Sequence, residues 1–186
     1  MPKLLGVLAL QGAFAAHQQK FQSLGVECIL VKTLEAIESV DALVLPGGES
    51  TTMVYLLEKH GLWEALKRKC ETVPVFATCA GVILLQKFGI LDIEITRNGY
   101  GRQLSSGIFP IEISNGSKVK SRQVEAYFIR APVIERVNDS SIDILSYHKD
   151  KAVLLRKDSI LAATFHLELG PDNTMHQYFL NMSGLN

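Results

Sequence analysis

Four short apolar runs, at residues 4–10, 28–32, 42–45 and 73–77, alternate with segments of helical length through the first half of the chain. Runs this short and this uniformly apolar read as strands buried on both faces. Between the first two, Phe14, His17, Phe21 and Leu24 recur at helical spacing and Gly25 supplies a stop signal, which predicts a helix over residues 14–24 and a first βαβ unit. Further helices are expected over residues 51–60, with Met53, Leu56 and Leu57 on one face and Gly61 after it, over 62–70, and over 81–87. The alternation predicts an α/β fold in which a parallel sheet is covered on both faces.

Beyond Leu91 the pattern changes. Residues 93–96, 107–113, 123–129, 142–147, 152–156 and 160–165 are all strand-like with no long helix between them, so a mixed or antiparallel extension is expected, closed by a last helix over 175–182.

A chain of 186 residues with 47% hydrophobic residues suits one domain over residues 1–186, long enough to bury one core and short for two. Lys and Arg number 19 and Asp and Glu 19, so no net field favours nucleic acid or an anionic membrane. The apolar run at residues 4–10 is ended at once by Gln11-Gly12, too short for a membrane span and without a signal-peptide cleavage pattern. Cys28, Cys70 and Cys79 are an odd set with no C-x-x-C spacing, which argues against a disulfide framework or a zinc site and fits a reducing cytoplasm.

Cys79 stands where the apolar run Val75-Phe76-Ala77 meets a helix. A tight strand-to-helix turn exposes a nucleophile, and the helix start favours a thiolate and offers N–H donors to an oxyanion. Cys28, inside a strand run, and Cys70, at a helix end, read as inert core thiols. Far along the chain, His166 and Glu168 are two apart at the end of a strand-like run, the spacing that places two side chains on one face. A carboxylate beside an imidazole fixes its tautomer, and an imidazole beside a thiol takes its proton. Gly47-Gly48 before a helix start frees backbone N–H groups to face an oxyanion. Taken singly, these features read more often as a core thiol, an ordinary strand end and a plain tight turn; together they form a Cys-His-Glu hypothesis.

In order, the segments Gly6 to Gly12 (GVLALQG), Pro46 to Thr52 (PGGESTT), Thr78 to Gly81 (TCAG), Arg97 to Gln103 (RNGYGRQ), Phe128 to Pro132 (FIRAP) and Phe165 to Leu169 (FHLEL) resemble the motifs of the glutaminase subunits of pyridoxal 5′-phosphate synthase. These are triad-type class I glutamine amidotransferases, and the resemblance spans nearly the whole chain. It implies a flavodoxin-like three-layer sandwich whose central, mostly parallel sheet carries helices on both faces and an antiparallel extension. It implies Cys79 as nucleophile, His166 as general base and acid, Glu168 as its orienting carboxylate, and the N–H groups of Gly48 and Ala80 as an oxyanion hole. Gly48, Glu49 and Ser50 would hold L-glutamine, with Arg102, Ile129 and Arg130 closing the pocket. An arginine suits the α-carboxylate because its planar fork binds at two points, although on chemistry alone either arginine reads equally as a surface ion pair.

The implied activity is release of ammonia from L-glutamine for a synthase subunit that builds pyridoxal 5′-phosphate, with no metal or bound cofactor and with neither nucleic acid nor a membrane as partner. Two departures from the family pattern stand out. His166-Leu167-Glu168 replaces His-Pro-Glu, so retained chemistry with a less rigid dyad is expected. Residues 84–92 are shorter than the family's usual stretch there. The alternatives are a cysteine hydrolase related to DJ-1 or proteases, and a weakly catalytic or non-catalytic regulatory subunit on the same fold.

Overall fold

Strands β1 (Leu5–Leu8), β3 (Ala42–Leu45) and β4 (Val75–Thr78) are buried at every position, as strands inside a doubly covered sheet must be. The computed structural model describes residues 3–97, 99, 106–114 and 122–185. In chain order the remaining elements are α1 (Phe14–Ser23), β2 (Cys28–Val31), α2 (Leu34–Ser39), α3 (Ser50–Lys59), α4 (Trp63–Thr72), α5 (Ala80–Lys87) and β5 (Ile93–Thr96). They continue with β6 (Ser106–Ile113), β7 (Arg122–Ile129), β8 (Val133–Val137), β9 (Asp143–His148), β10 (Lys151–Lys157), β11 (Ile160–Ala163) and α6 (Thr174–Ser183).

The main sheet runs β2-β1-β3-β4-β11-β10-β8-β5, with β9 also paired to β10. From β2 to β11 every pairing is parallel, and from β11 to β5 every pairing is antiparallel. The parallel part has the doubly wound order in which ligands gather beyond the carboxyl ends of the strands. β6 and β7 form a separate antiparallel ribbon. Side chains alternate between two cores: Leu43, Leu45, Val75 and Ala77 meet helices α2 to α5 on one face. Ala42, Val44, Phe76 and Ala163 meet α1, α6 and the ribbon on the other. The three layers expected from the sequence are present.

Three local expectations need correction. The six-residue helix α2, capped by Thr33 accepting the Ala36 N–H, is too short for a periodic signal to show. Strand β8, directly after Pro132, was not expected, and its burial lacks the alternation that marks a strand. Strand β11 stops at Ala163 rather than running to residue 165, because the His166 N–H pairs instead with Tyr127 O of β7 at 2.8 Å.

Candidate functional site

The end of β4 is held against the end of β11 by the register Thr78 with Ala163 and by the Cys79 N–H donating to Ala163 O at 2.8 Å. Cys79 then turns with φ 47° and ψ −105°, a conformation that side chains rarely adopt, and α5 starts at the next residue. The turn is tight because α5 lies close on β3: a Cβ at Gly81 would sit 2.2 Å from Leu45 O. A strained turn at the start of a helix presents the thiol to the dipole's positive end.

His166 and Glu168 were expected side by side on a strand face. They do meet, His166 Nδ1 lying 2.6 Å from Glu168 Oε1, but on a bent segment beyond β11, where His166 makes a lone bridge to β7. Both are buried, at 7% and 5% exposure. Burial works to lower the His166 pKa, yet hydrogen bonds and charge from Cys79 and Glu168 outweigh it and push it up to about 10. Burial likewise works to raise Glu168, and the imidazoles of His17 and His166 outweigh it, holding the carboxyl at about 2. Cys79, His166 and Glu168 thus form one line of contact, with the carboxylate fixing the proton on Nδ1 and leaving Nε2 for the sulfur.

The loop after β3 forms the opposite wall. Gly47 donates its N–H to Thr78 Oγ1 at 3.0 Å and accepts from the Ala13 N–H at 2.9 Å, while the Glu49 N–H donates to Gln11 Oε1 at 2.8 Å. Because the two polar groups of a trans peptide point oppositely, the Gly48 N–H is turned away from Ala13. The Ala80 N–H, at the first position of α5, has no acceptor within its helix. A cleft of about 420 Å³ opens between these walls, a size usual for a small-molecule site.

Of the expected site residues, Cys79, His166, Gly48, Glu49, Ser50, Ala80, Ile129 and Arg130 all line the cleft. Glu168 lies behind His166, and Arg102 falls outside the described residues. Arg130 has φ 45°, a second non-glycine residue in the left-handed region at the rim. Gln11 and Arg97 also line the cleft and carried no assigned role, although both lie inside quoted motifs. Arg97 reaches Glu49 at 2.7 Å and Thr51 at 2.9 Å, so the Glu49 side chain is already engaged by a cation. His17 and Thr78, buried behind the triad, were also missed; a histidine on an apolar helix stripe was the available signal. Among the described residues no group of His, Cys, Asp and Glu converges as metal ligands would, and no helix is long and apolar enough to cross a membrane.

The chain is similar to several known proteins. The SNO glutamine amidotransferase family matches residues 7–184. Pyridoxal 5′-phosphate synthase subunit PdxT of Francisella philomiragia is 44% identical over 182 residues, covering 96% of this chain and 98% of the relative. Its namesake from Francisella tularensis subsp. novicida is 45% identical, covering 98% of this chain and all of the relative, 100%. A crystal structure described as a glutamine amidotransferase superposes with TM-score 0.87 at 36% identity, covering 97% of this chain and 98% of that one. A structure described as PurLQS from Thermotoga maritima shares the fold alone, with TM-score 0.70 at 14% identity over 97% of this chain and 98% of its own. With its family match running from β1 into α6, the chain belongs to the SNO glutamine amidotransferase family.

Proposed function

We propose that this protein is the glutaminase subunit of a pyridoxal 5′-phosphate synthase, hydrolysing L-glutamine to glutamate and ammonia and passing the ammonia to a synthase subunit. The observation that carries the reading is the line Cys79, His166, Glu168 standing at a cleft whose other wall is the Gly47-Gly48 loop.

His166 takes the Cys79 proton, and the thiolate attacks the side-chain amide carbon of glutamine. The N–H groups of Gly48 and Ala80 receive the oxyanion. His166 then protonates the leaving ammonia, and a glutamyl thioester remains on Cys79. Water, relieved of a proton by His166, opens the thioester and releases glutamate. Glu168 keeps the imidazole in the tautomer that both steps need. Gly48, Glu49 and Ser50 hold the substrate, with Ile129, Arg130 and Arg102 closing over it. Thiolate, imidazole and backbone amides supply every role without a metal or bound cofactor.

Relatives named as synthase subunits support a protein partner. So do Ile129 and Leu169, apolar side chains 44% and 45% exposed at the cleft. The three free thiols suit a cytoplasmic location, and the two cores separated by one continuous sheet suit a single domain. The test is ammonia release from L-glutamine by the purified chain, with and without the cognate synthase subunit. Glutamine-dependent release supports the reading, and none in either condition rejects it.

A further inference from the structure

The triad's carboxylate has a second imidazole on its far side. His17, on α1 and fully buried at 0% exposure, places Nε2 3.4 Å from Glu168 Oε2 and 3.0 Å from Thr78 Oγ1. The same Thr78 oxygen accepts the Gly47 N–H at 3.0 Å. One chain of polar contacts therefore runs from the oxyanion loop through Thr78 and His17 to Glu168, and on to His166.

The tautomer of His17 follows from its surroundings. Nδ1 is buried with no hydrogen-bond partner among the described residues. A proton there would strand a buried donor and turn the Nε2 lone pair toward a carboxylate, so the proton belongs on Nε2 and His17 donates. Burial lowers the His17 pKa, against the pull of the Glu168 charge and with the push of His166. The Nε2–H donates to Thr78 Oγ1, and its positive end faces Glu168 Oε2 at 3.4 Å, an oxygen with no hydrogen-bond partner among the described residues. His176 and Phe76, with ring centroids 5.6 Å and 5.8 Å from that of His17, wall the group off, and buried polar contacts gain strength in such a medium.

We propose that His17 is a positioning residue for glutamine hydrolysis, holding the Glu168 carboxylate on His166 and tying it through Thr78 to the Gly47 end of the oxyanion loop. This rests on the assignment of that reaction to Cys79, His166 and Glu168. The role differs from packing, because it needs the Nε2–H donor and not merely the ring's volume.

Two variants separate donor from volume: His17→Phe fills the space without a donor, and His17→Gln returns an amide N–H near the Nε2 position. Each is checked for folding by circular dichroism. Glutamine kcat and KM are measured with the cognate synthase subunit, and the His166 imidazole is titrated by NMR in the chain alone. In His17→Phe, kcat falls about 10- to 100-fold, as small misplacements of a reacting group do. KM stays within about threefold, the pattern of an interaction used in the transition state. The His166 midpoint drops by about one unit as the carboxylate loosens, and His17→Gln recovers most of both losses.

Unchanged kcat and midpoint in folded His17→Phe overturn the proposal, as does equal damage in both variants. If His17→Phe does not fold, the near-isosteric Thr78→Val breaks the chain at its next link. It is expected to lose about tenfold in kcat at constant KM, and full activity there overturns the proposal. Should the wild-type chain fail to hydrolyse glutamine, the functional assignment falls, while the His166 midpoint in the variants still decides the positioning claim.

Discussion

Glu168 Oε1 approaches His166 Nδ1 to 2.6 Å on a segment with no ladder partner beyond the single bridge to Tyr127. The contact therefore depends on the bend after β11 and on what packs behind it, and Leu167 between the two is buried at 3% in the core under α6. The imidazoles of His17 and His166 beside that carboxylate set a pH dependence.

The Glu168 carboxyl, ordinarily near 4.5, is held at about 2 in the folded chain. Between those values the unfolded state binds the proton more readily, so this residue contributes stability above the higher value that is lost as pH falls toward the lower. Denaturant unfolding followed through that window should show the loss in the wild type and a flatter profile in Glu168→Gln. The variant should also lose roughly 10²-fold or more in kcat, the scale of a general acid–base contribution. An equally steep profile in both proteins would mean that Glu168 titrates as an ordinary carboxylate.

Gly47 is predicted to tolerate no side chain. A Cβ there would sit 2.3 Å from His166 Cε1 and 3.2 Å from Cys79 Cβ. Gly47→Ala should therefore push the imidazole off the sulfur and lower kcat by about 10²-fold, while the fold survives because the clash falls on a side chain at the edge of a cleft. Steady-state glutaminase assays decide it, and a variant within a factor of a few of the wild type would place the loop further from His166 than the structure does.

The sequence was most informative where its signals are local. An apolar run followed by Thr-Cys-Ala-Gly has few conformations open to it, and Cys79 is where that pattern placed it. The Gly pair was legible for the same reason. His17 was not, because a helix stripe of Phe14, His17, Phe21 and Leu24 reports which face is buried and not what lies opposite. Its partner Glu168 arrives from the far end of the chain across the sheet. The antiparallel half was legible as strands but not as an order: β8 pairs with β5 through a shifted register and with β10 at Ile134 and Ala152, which no local periodicity records. Motif resemblance supplied the roles of Gly48, Ile129 and Arg130, which their residue types alone would not.

The three thiols should differ sharply in reactivity. Burial, with a smaller push from Glu27, raises the Cys28 pKa to about 11, and burial with Glu71 raises Cys70 further still. Cys79 faces the cleft beside His166. A glutamine-like electrophile at neutral pH should label Cys79 and leave the other two, as mapped by mass spectrometry, since reactivity follows thiolate character and access. Equal labelling of all three in the folded chain would show that Cys79 is not activated.

Leu167 stands where the motif resemblance implies a proline, and its side chain turns into the core rather than the cleft. Leu167→Ala should cost about 2–5 kcal/mol of stability, the range for truncating a buried leucine, with kcat per folded molecule changed little. Chemical denaturation and active-site titration measure the two separately. Loss of turnover without loss of stability would mean that Leu167 acts on the dyad directly.

The central claim is that Cys79 carries out the hydrolysis of glutamine. The most direct measurement compares ammonia release by the wild-type chain and by Cys79→Ala, each saturated with the cognate synthase subunit and each shown to be folded. Removing only the sulfur should leave the fold intact and abolish turnover, a loss of about 10⁴-fold or more for a covalent nucleophile. A folded Cys79→Ala variant that still releases ammonia at a substantial fraction of the wild-type rate would contradict the account.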